Sequence, residues 1–176
     1  MESENKYTRV EYERRFLVKP GSGWESFVTS YSKLFEDIYL SNTRMRLRVL
    51  TDSDSDRRII KLTKKAASES PYFRTISRIL LSQDEYDILS RLDGERIVKV
   101  RHYCDHQRRV FSIDVFQGEL DGLVLSEVES DDLDDLMSID LPKFAANEVT
   151  EDPFFDGGNL STVSPNDLQA KLEKIS

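Results

Sequence analysis

Charged side chains of one sign recur at every second position in several segments of the sequence. Arg44, Arg46 and Arg48 alternate with apolar residues, and Glu11 and Glu13 have the same spacing near the start of the chain. Side chains of an extended strand alternate between its two faces, so each of these rows lies on one face of a strand. Like charges on one strand face repel each other. Such rows persist more readily where a ligand of opposite charge offsets the repulsion, and rows of arginine and lysine suit phosphate groups.

The charged rows continue through the chain, with basic residues crowding positions 44–109 and acidic residues crowding positions 114–156. The candidate phosphate-binding residues share a positive charge and a strand position: Arg15, Arg44, Arg46, Arg48, Lys61, Lys65, Arg74, Arg78, Lys99 and Arg101. The candidate metal ligands share a carboxylate: Glu11, Glu13, Asp114, Glu127 and Glu129. Carboxylates in the same cavity would repel a polyanion, and a hard divalent cation such as Mg²⁺ or Mn²⁺ resolves this conflict because it bridges carboxylate and phosphate oxygens. The residues alone therefore predict metal-dependent binding of linked phosphates. For a hydrolysis of those phosphates, Glu13 and Glu129 are the candidates for the catalytic base.

The elements that must position these rows are mostly strands with short connections. Strands are predicted over 7–18, 38–50 (two short strands around Ser41 and Asn42), 59–65, 73–81, 96–103, 108–116 and 123–130. Helices are predicted over 24–35, 82–92, 131–139 and 165–175, the second of them from a capping box. Short connections favour an antiparallel sheet, and roughly eight strands close a barrel that is wide enough for a small ligand. Ordinary amphipathicity explains any one row, but helices that cover the outer apolar faces would leave the charged faces inside.

The composition excludes several classes of protein. The 176 residues predict a single domain spanning 1–176, and the single cysteine, Cys104, allows no disulfide within the chain. A net charge of −8 argues against a general nucleic-acid binder. The start lacks the apolar region of a signal peptide, and no run approaches the roughly 20 apolar residues of a membrane span. We expect a cytoplasmic protein without a membrane partner, and the sequence leaves a homodimer open.

Several segments resemble, in order, the motifs of CYTH proteins, which are also called triphosphate tunnel metalloenzymes. The segment 11–15 is similar to the opening Glu-x-Glu-x-Lys motif, with Arg15 in place of the lysine. The later segments that carry the resemblance are 44–48 (the arginine strand), 62–65 (Leu-Thr-x-Lys), 99–103 (Lys-x-Arg), 113–116 and 122–129 (the late acidic segment) and 148–150. The resemblance spans about residues 10–165.

The resemblance implies an α+β fold in which an antiparallel eight-stranded β-barrel forms a tunnel with a basic and an acidic wall, with helices packed outside. It also implies a divalent-metal-dependent triphosphatase that uses Mg²⁺ or Mn²⁺ and hydrolyses a small-molecule triphosphate. Inorganic triphosphate is the substrate that the most similar members imply, with diphosphate and phosphate as products.

One segment departs from the family pattern. The family's Arg-x-Glu-x-Glu reads Arg74-Thr75-Ile76-Ser77-Arg78 here, so Ile76 and Arg78 stand at the two acidic positions. Part of the usual acidic set is therefore missing. Three alternatives stay open: a class IV-type adenylate cyclase, a non-catalytic polyphosphate-binding module, and an acidic protein-interaction domain.

Overall fold

A computed structural model describes residues 8–175. Nine strands form within this range: β1 (Thr8–Val18), β2 (Val28–Leu40), β3 (Met45–Asp52), β4 (Arg58–Lys65), β5 (Phe73–Leu81), β6 (Gly94–His106), β7 (Arg109–Gln117), β8 (Val124–Ser130) and β9 (Ala145–Glu148). The helices are α1 (Gln83–Leu89), α2 (Leu133–Met137), α3 (Gly157–Leu160) and α4 (Pro165–Ile175). Short 3-10 turns form at Trp24–Phe27, Gly118–Leu120 and Pro153–Phe155. Residue 7 of the predicted first strand lies outside the described residues.

The strands close into an antiparallel barrel. Their order is β5-β4-β3-β2-β6-β7-β8-β1-β9, and a further pairing between β5 and β1 closes eight of them into a ring. One edge of β1 pairs with β8. The other edge is shared, because β5 pairs with residues 8–12 and β9 pairs with residues 16–18. The predicted eight-stranded antiparallel β-barrel is confirmed, and β9 is an additional short strand beside it.

The predicted helix over residues 24–35 is wrong. Only the turn Trp24–Phe27 is helical, and the chain then runs as strand β2. Because β2 pairs with β3 on one edge and β6 on the other, extended backbone satisfies its hydrogen bonds along much of its length. Its aromatic and β-branched residues also suit a strand. Tertiary pairing therefore outweighs the helix-like spacing of its apolar residues.

The other three predicted helices are present, and two of them, α1 and α2, are shorter at both ends than predicted. At the start of α1 the Ser82 hydroxyl accepts a hydrogen bond from the Glu85 backbone N–H, and the Glu85 carboxylate accepts one from the Ser82 N–H, which is the predicted capping box. At the start of α4 the Ser164 hydroxyl accepts from the backbone N–H of Asp167. No helix within residues 8–175 has the length and apolar character needed to cross a bilayer.

Apolar side chains on the outer faces of the strands pack beneath two of the helices. Helix α1 contributes Tyr86 and Leu89 to a cluster that contains Leu47 and Val49 of β3. Helix α2 contributes Leu136 to a second cluster on the outside of the barrel. Full burial of one such side chain contributes about 1.5–3 kcal/mol to folding. The outer faces of the strands are thus the apolar ones, and the charged rows face the barrel interior.

One end of the barrel interior is also apolar. Leu17, Ile97 and Phe116 project from the inner faces of their strands and cluster with Phe155 and with Leu160 of α3. Phe155 and Leu160 come from the segment that follows β9, and this segment therefore folds over this end of the barrel. The charged part of the interior lies beyond this apolar layer.

Candidate active site

The barrel interior contains a cavity of about 240 Å³, which we call the tunnel. Ten cationic side chains line it: Arg9, Arg15, Lys33, Arg46, Arg48, Lys61, Lys65, Arg78, Lys99 and Arg101. Five anionic side chains line it: Glu11, Glu13, Asp37, Glu127 and Glu129. The lining thus has an excess of positive charge in a chain whose net charge is −8. Such a concentration of one sign in a cleft attracts ligands of opposite charge.

Strand register brings the glutamates of the sequence motifs together. In the pairing of β1 with β8, Glu13 lies opposite Glu129 and Arg15 lies opposite Glu127. Glu11 lies two residues before Glu13 on the same face of β1. Strand alternation therefore gathers the four glutamates on neighbouring strands of one wall, as the sequence predicted for the acidic wall.

Arg15 organises part of this acidic wall. Its guanidinium donates to Glu13 at 2.8 Å and to Glu127 at 3.2 Å, and it is 5% exposed. It also donates to the carbonyl oxygen of Phe155 at 2.9 Å and lies 3.3 Å from the carboxylate of Asp156. Asp156 was not among the predicted site residues, because it lies on the segment that covers the barrel end and has no place in a strand motif. Arg15 thus ties the acidic wall to this segment.

The two outer glutamates of the wall differ in their partners. Glu11 accepts hydrogen bonds from Arg78, at 3.1 Å, and from Arg9. Within the described part of the chain, no residue forms a hydrogen bond or ion pair with the Glu129 carboxylate. Burial raises the pKa of Glu129, and the nearby carboxylates of Glu11, Glu127 and Glu13 raise it further. Among the four glutamates of this wall, Glu129 is therefore the one whose negative charge a bound cation would stabilise most.

Asp114 is enclosed by two cations of the basic wall. Arg101 donates to both of its oxygens at 2.6 Å, and Lys99 also contacts it. Asp114 is 1% exposed and does not line the tunnel. Arg101 additionally donates to Glu127 at 2.5 Å, so it links the two walls. The structure gives the predicted metal ligand Asp114 the position of a counter-ion that holds Lys99 and Arg101.

Asp37 plays a similar part for the arginines of β3. Arg48 donates to both of its oxygens at 2.5 Å, and Arg46 lies 4.0 Å away. Asp37 was missed in the sequence, although it alternates with Phe35 and Tyr39 on the inner face of β2. The incorrect helix over 24–35 hid the start of this strand and with it the inner row of β2.

The buried pair of Asp37 and Arg48 predicts a loss of stability in acid. Burial alone would raise the pKa of Asp37, but Arg48 and Arg46 outweigh it and lower the pKa from 3.8 to about 2. A carboxyl with a depressed pKa in the folded state stabilises the protein above its unfolded pKa, and this stability is lost as pH falls towards 2. We expect about 2 kcal/mol to be lost between roughly pH 5 and pH 2. Urea unfolding at a series of pH values checks this, with Asp37→Asn as the comparison. If the two stability curves ran parallel across this window, the assignment would be wrong.

Several cationic or donor groups that line the tunnel have no partner among residues 8–175. Among the described residues, neither Lys61 nor Lys65 has an acceptor for its ammonium group, and burial lowers the pKa of each. The Nε of Arg46 and the hydroxyl of Thr63 are buried without a hydrogen bond. Buried donors that lack a partner cost stability. An anion in the tunnel would give the ammonium groups of Lys61 and Lys65 a partner.

Two predicted phosphate-binding residues lie outside the tunnel. Arg44 is exposed in the turn before β3, so it does not share the inner face with Arg46 and Arg48. Arg74 lies on β5 and donates to Asp156 at 2.8 Å. Both line a second cavity at the barrel end.

The register of β5 explains the departure from the family motif. Arg74 lies opposite Glu11 and Ile76 lies opposite Arg9 in the pairing with β1. Ile76 is 1% exposed, and Arg78 lines the tunnel and binds Glu11. The two positions that are acidic in the family pattern are therefore occupied here by an apolar and a cationic side chain.

The acidic wall has donor chemistry that fits a hard divalent cation. Its four glutamates, Glu11, Glu13, Glu127 and Glu129, offer only oxygen atoms, which Mg²⁺ and Mn²⁺ prefer. Within residues 8–175, no three His, Cys, Asp or Glu side chains are already grouped closely enough to hold a metal ion. Three of the four carboxylates are bound to arginines, and Glu129 is not. The residues therefore fit a cation by their chemistry, with Glu129 as the carboxylate that has no competing arginine.

The protein is a closed antiparallel barrel of eight strands with a charged interior, and its similarity to solved structures supports the triphosphate tunnel, or CYTH, fold. Among solved structures, the chain is similar to the inorganic triphosphatase NE1496, with 24% identity, 88% of this chain and 96% of that chain covered, and a TM-score of 0.56. It is similar to the PH1819 protein from Pyrococcus horikoshii OT3 (20% identity, 72% and 82% covered, TM-score 0.51). It is also similar to a putative adenylate cyclase from Bacillus halodurans (13% identity, 85% and 100% covered, TM-score 0.51). No family profile and no curated protein matches the chain. At these identities the likeness concerns the fold.

Proposed function

We propose that the protein is a divalent-metal-dependent triphosphatase that hydrolyses inorganic triphosphate to diphosphate and phosphate. The observation that carries this proposal is the tunnel, where ten cationic side chains meet a wall of four glutamates. Hydrolysis of a phosphoanhydride leaves the protein mainly the work of positioning the phosphates and neutralising their charge. The fold likeness to an inorganic triphosphatase and to a putative adenylate cyclase supports a reaction on a triphosphate.

The basic residues of the tunnel would grip the phosphate groups. The ammonium groups of Lys61 and Lys65 have no acceptor among residues 8–175 and are the readiest to bind, and Arg46 lies beside them in the lining. Arg48 and Arg101 are held in place by their buried aspartates, so little entropy remains to be lost when a phosphate binds. Lys99, Arg15 and Arg78 add to the positive lining, together with Arg9 and Lys33.

The acidic wall would supply the metal ligands and the base. When bound there, Mg²⁺ or Mn²⁺ would polarise the terminal phosphoryl group. One of Glu13 and Glu129 accepts the proton of the attacking water. Glu129 is favoured for this role, because its carboxylate has no partner within the described range 8–175, whereas the Glu13 carboxylate accepts a hydrogen bond from Arg15 at 2.8 Å.

The size of the tunnel favours a compact substrate. Its volume of about 240 Å³ is below the roughly 300–1,000 Å³ of pockets that enclose drug-sized ligands. A linear triphosphate needs no space for a base or a sugar. Inorganic triphosphate is therefore the substrate that the tunnel suits best.

The test is phosphate release from inorganic triphosphate, with ATP in parallel, in Mg²⁺, in Mn²⁺ and in EDTA. We expect release from triphosphate that depends on the metal and exceeds release from ATP. Cyclic AMP formed from ATP would instead assign the protein to the cyclase reaction. If neither phosphate nor cyclic AMP is produced, hydrolysis and cyclisation are both rejected.

Metal binding can be tested without any turnover. At a Mn²⁺ concentration of about 100 times the dissociation constant, the gain in stability is about 2.7 kcal/mol, which corresponds to a rise of roughly 5–10 °C in melting temperature. We expect this rise in the wild type and a clearly smaller one in Glu129→Gln. Without metal, Glu129→Gln should melt slightly higher than the wild type, because one of four clustered like charges is removed.

Glu36→Gln is the matched control for this measurement, since Glu36 is an exposed glutamate on the outer face of β2. Its Mn²⁺ response should equal that of the wild type. Equal shifts in all three proteins would place the metal somewhere other than the acidic wall.

A second candidate function is a polyphosphate-binding module without catalysis. It is favoured by Arg78, which replaces a family glutamate and binds Glu11, and by the absence of a preformed metal-binding group within residues 8–175. This function predicts that triphosphate binds and raises the melting temperature in EDTA, while no phosphate is released in either metal.

A further inference from the structure

A second cavity of about 380 Å³ adjoins the tunnel at the barrel end, and we call it the annex. Arg44, Arg74, Ala67 and Ser68 line the annex alone. Five residues line both cavities: Tyr39, Arg46, Thr63, Lys65 and Gly157. The annex and the tunnel therefore share part of their walls.

The annex has its own excess of positive charge. Arg44 and Arg74 add to the shared Arg46 and Lys65, and the one carboxylate in its described lining is that of Asp156. The carboxylate of Asp156 already lies 2.8 Å from the guanidinium of Arg74 and 3.3 Å from that of Arg15. Arg15 itself does not line the annex. Among the described residues, no acceptor binds the guanidinium of Arg44. The annex therefore suits an anionic group.

Unsatisfied donors lie at the seam between the two cavities. The buried Nε of Arg46 and the buried hydroxyl of Thr63 have no hydrogen-bond partner, and the ammonium of Lys65 has no acceptor in residues 8–175. All three residues belong to the shared lining. Because the side chain of Lys65 lines both cavities and its ammonium has no acceptor in residues 8–175, a ligand whose oxygens cross the seam would supply one.

We propose that the annex binds the further phosphate groups of a linear polyphosphate that is longer than three units, while three phosphates occupy the tunnel. This inference rests on the proposed function, because it extends the same chain of phosphates through the shared seam. A nucleoside fits the annex less well. The one aromatic residue in the described lining of the annex is Tyr39. Its ring already contacts the guanidinium of Arg46, whose Cζ lies 5.8 Å from the ring centroid. A Cβ at Gly157 would lie 2.0 Å from the Tyr39 hydroxyl oxygen, so the segment at Gly157 also lies against Tyr39.

Ala67 offers a probe of the annex that leaves the tunnel lining unchanged. It is exposed, and it lines the annex without lining the tunnel. Ala67→Glu places a negative charge in the annex, and Ala67→Gln adds a side chain of nearly the same size without the charge. The experiment is calorimetric titration of wild type and both variants with tripolyphosphate, tetrapolyphosphate and ATP in EDTA, which prevents turnover.

We expect the wild type to bind tetrapolyphosphate roughly tenfold more tightly than tripolyphosphate. Ala67→Glu should weaken tetrapolyphosphate binding roughly tenfold and tripolyphosphate binding by less than about twofold. Ala67→Gln should leave both within about twofold of the wild type.

The outcomes separate the annex from the proposed function. Equal affinities for the two polyphosphates in all three proteins would overturn the annex and leave the triphosphatase intact. In a second outcome, Ala67→Glu and Ala67→Gln weaken ATP binding equally and leave tetrapolyphosphate binding unchanged. This result would overturn the annex proposal, because it would assign the annex to a nucleoside. Absence of binding to either polyphosphate in EDTA would overturn the annex, while the triphosphatase would still be decided by phosphate release in Mg²⁺ and Mn²⁺. If the affinities follow the expected pattern but no phosphate is released in Mg²⁺, the annex would be supported and hydrolysis would be rejected.

Discussion

Glu13→Gln should lower metal-dependent phosphate release from triphosphate by a factor on the order of 10² or more. Glu13 lies on the inner face of β1, opposite Glu129, at the centre of the acidic wall. The amide that replaces its carboxylate keeps the size of the side chain but removes the negative charge. Metal binding and proton transfer both need that charge, so either role predicts a large loss. Steady-state phosphate release in Mg²⁺ and Mn²⁺ measures it.

Glu36→Gln again supplies the matched control, because the same chemical change is made on the outer face of β2. This variant should retain the wild-type rate. Denaturant unfolding of both variants shows whether the barrel is intact, since Glu13 also binds Arg15. A folded Glu13→Gln protein with a near-normal rate would remove Glu13 from the reaction and leave Glu129 as the remaining candidate base.

Asp114→Asn should destabilise the protein by about 3–5 kcal/mol, because it leaves the buried charges of Lys99 and Arg101 without their shared counter-ion. The free energy of unfolding in urea, measured in EDTA, gives this difference. Asp105→Asn on the same hairpin is the control, since Asp105 is exposed, and its cost should be near zero.

The metal response of Asp114→Asn separates two roles for this residue. If Asp114 is the counter-ion of the basic wall, the Asp114→Asn variant should keep most of the Mn²⁺-induced rise in melting temperature. A loss of stability below about 1 kcal/mol, together with loss of the Mn²⁺ response, would return Asp114 to the metal ligands that the sequence predicted.

Much of the tunnel could be predicted from the sequence because its signals are local. Alternation places Glu11, Glu13 and Arg15 on one strand face, and the same rule places Arg46 and Arg48 together. A strand face is fixed by spacing alone, so the identity of the inner rows needed no knowledge of the neighbouring strands. The motif order along the chain then indicated the barrel, and the strand pairing confirms it.

The errors of prediction arose where local patterns are ambiguous. Residues 24–35 carry apolar side chains at spacings that suit a helix, yet β2 pairs on both edges and is extended. Arg44 continues an alternating row in the sequence, but β3 begins only at Met45, so Arg44 lies in the turn. Strand pairing and strand ends depend on distant segments, which periodicity does not describe.

The sequence by itself determined that Glu11, Glu13 and Arg15 share one strand face and that Arg46 and Arg48 share another, because side-chain alternation is a property of the single strand. Only the tertiary structure decided which of those charges are already paired. It enclosed Asp114 between Lys99 and Arg101, it folded Asp156 over the barrel end, and it left Glu129 without a partner among the described residues. The physical reason is distance: the strength of an ion pair is set by separations of a few ångströms across strands and segments far apart in the chain, and these exist only once the barrel has closed.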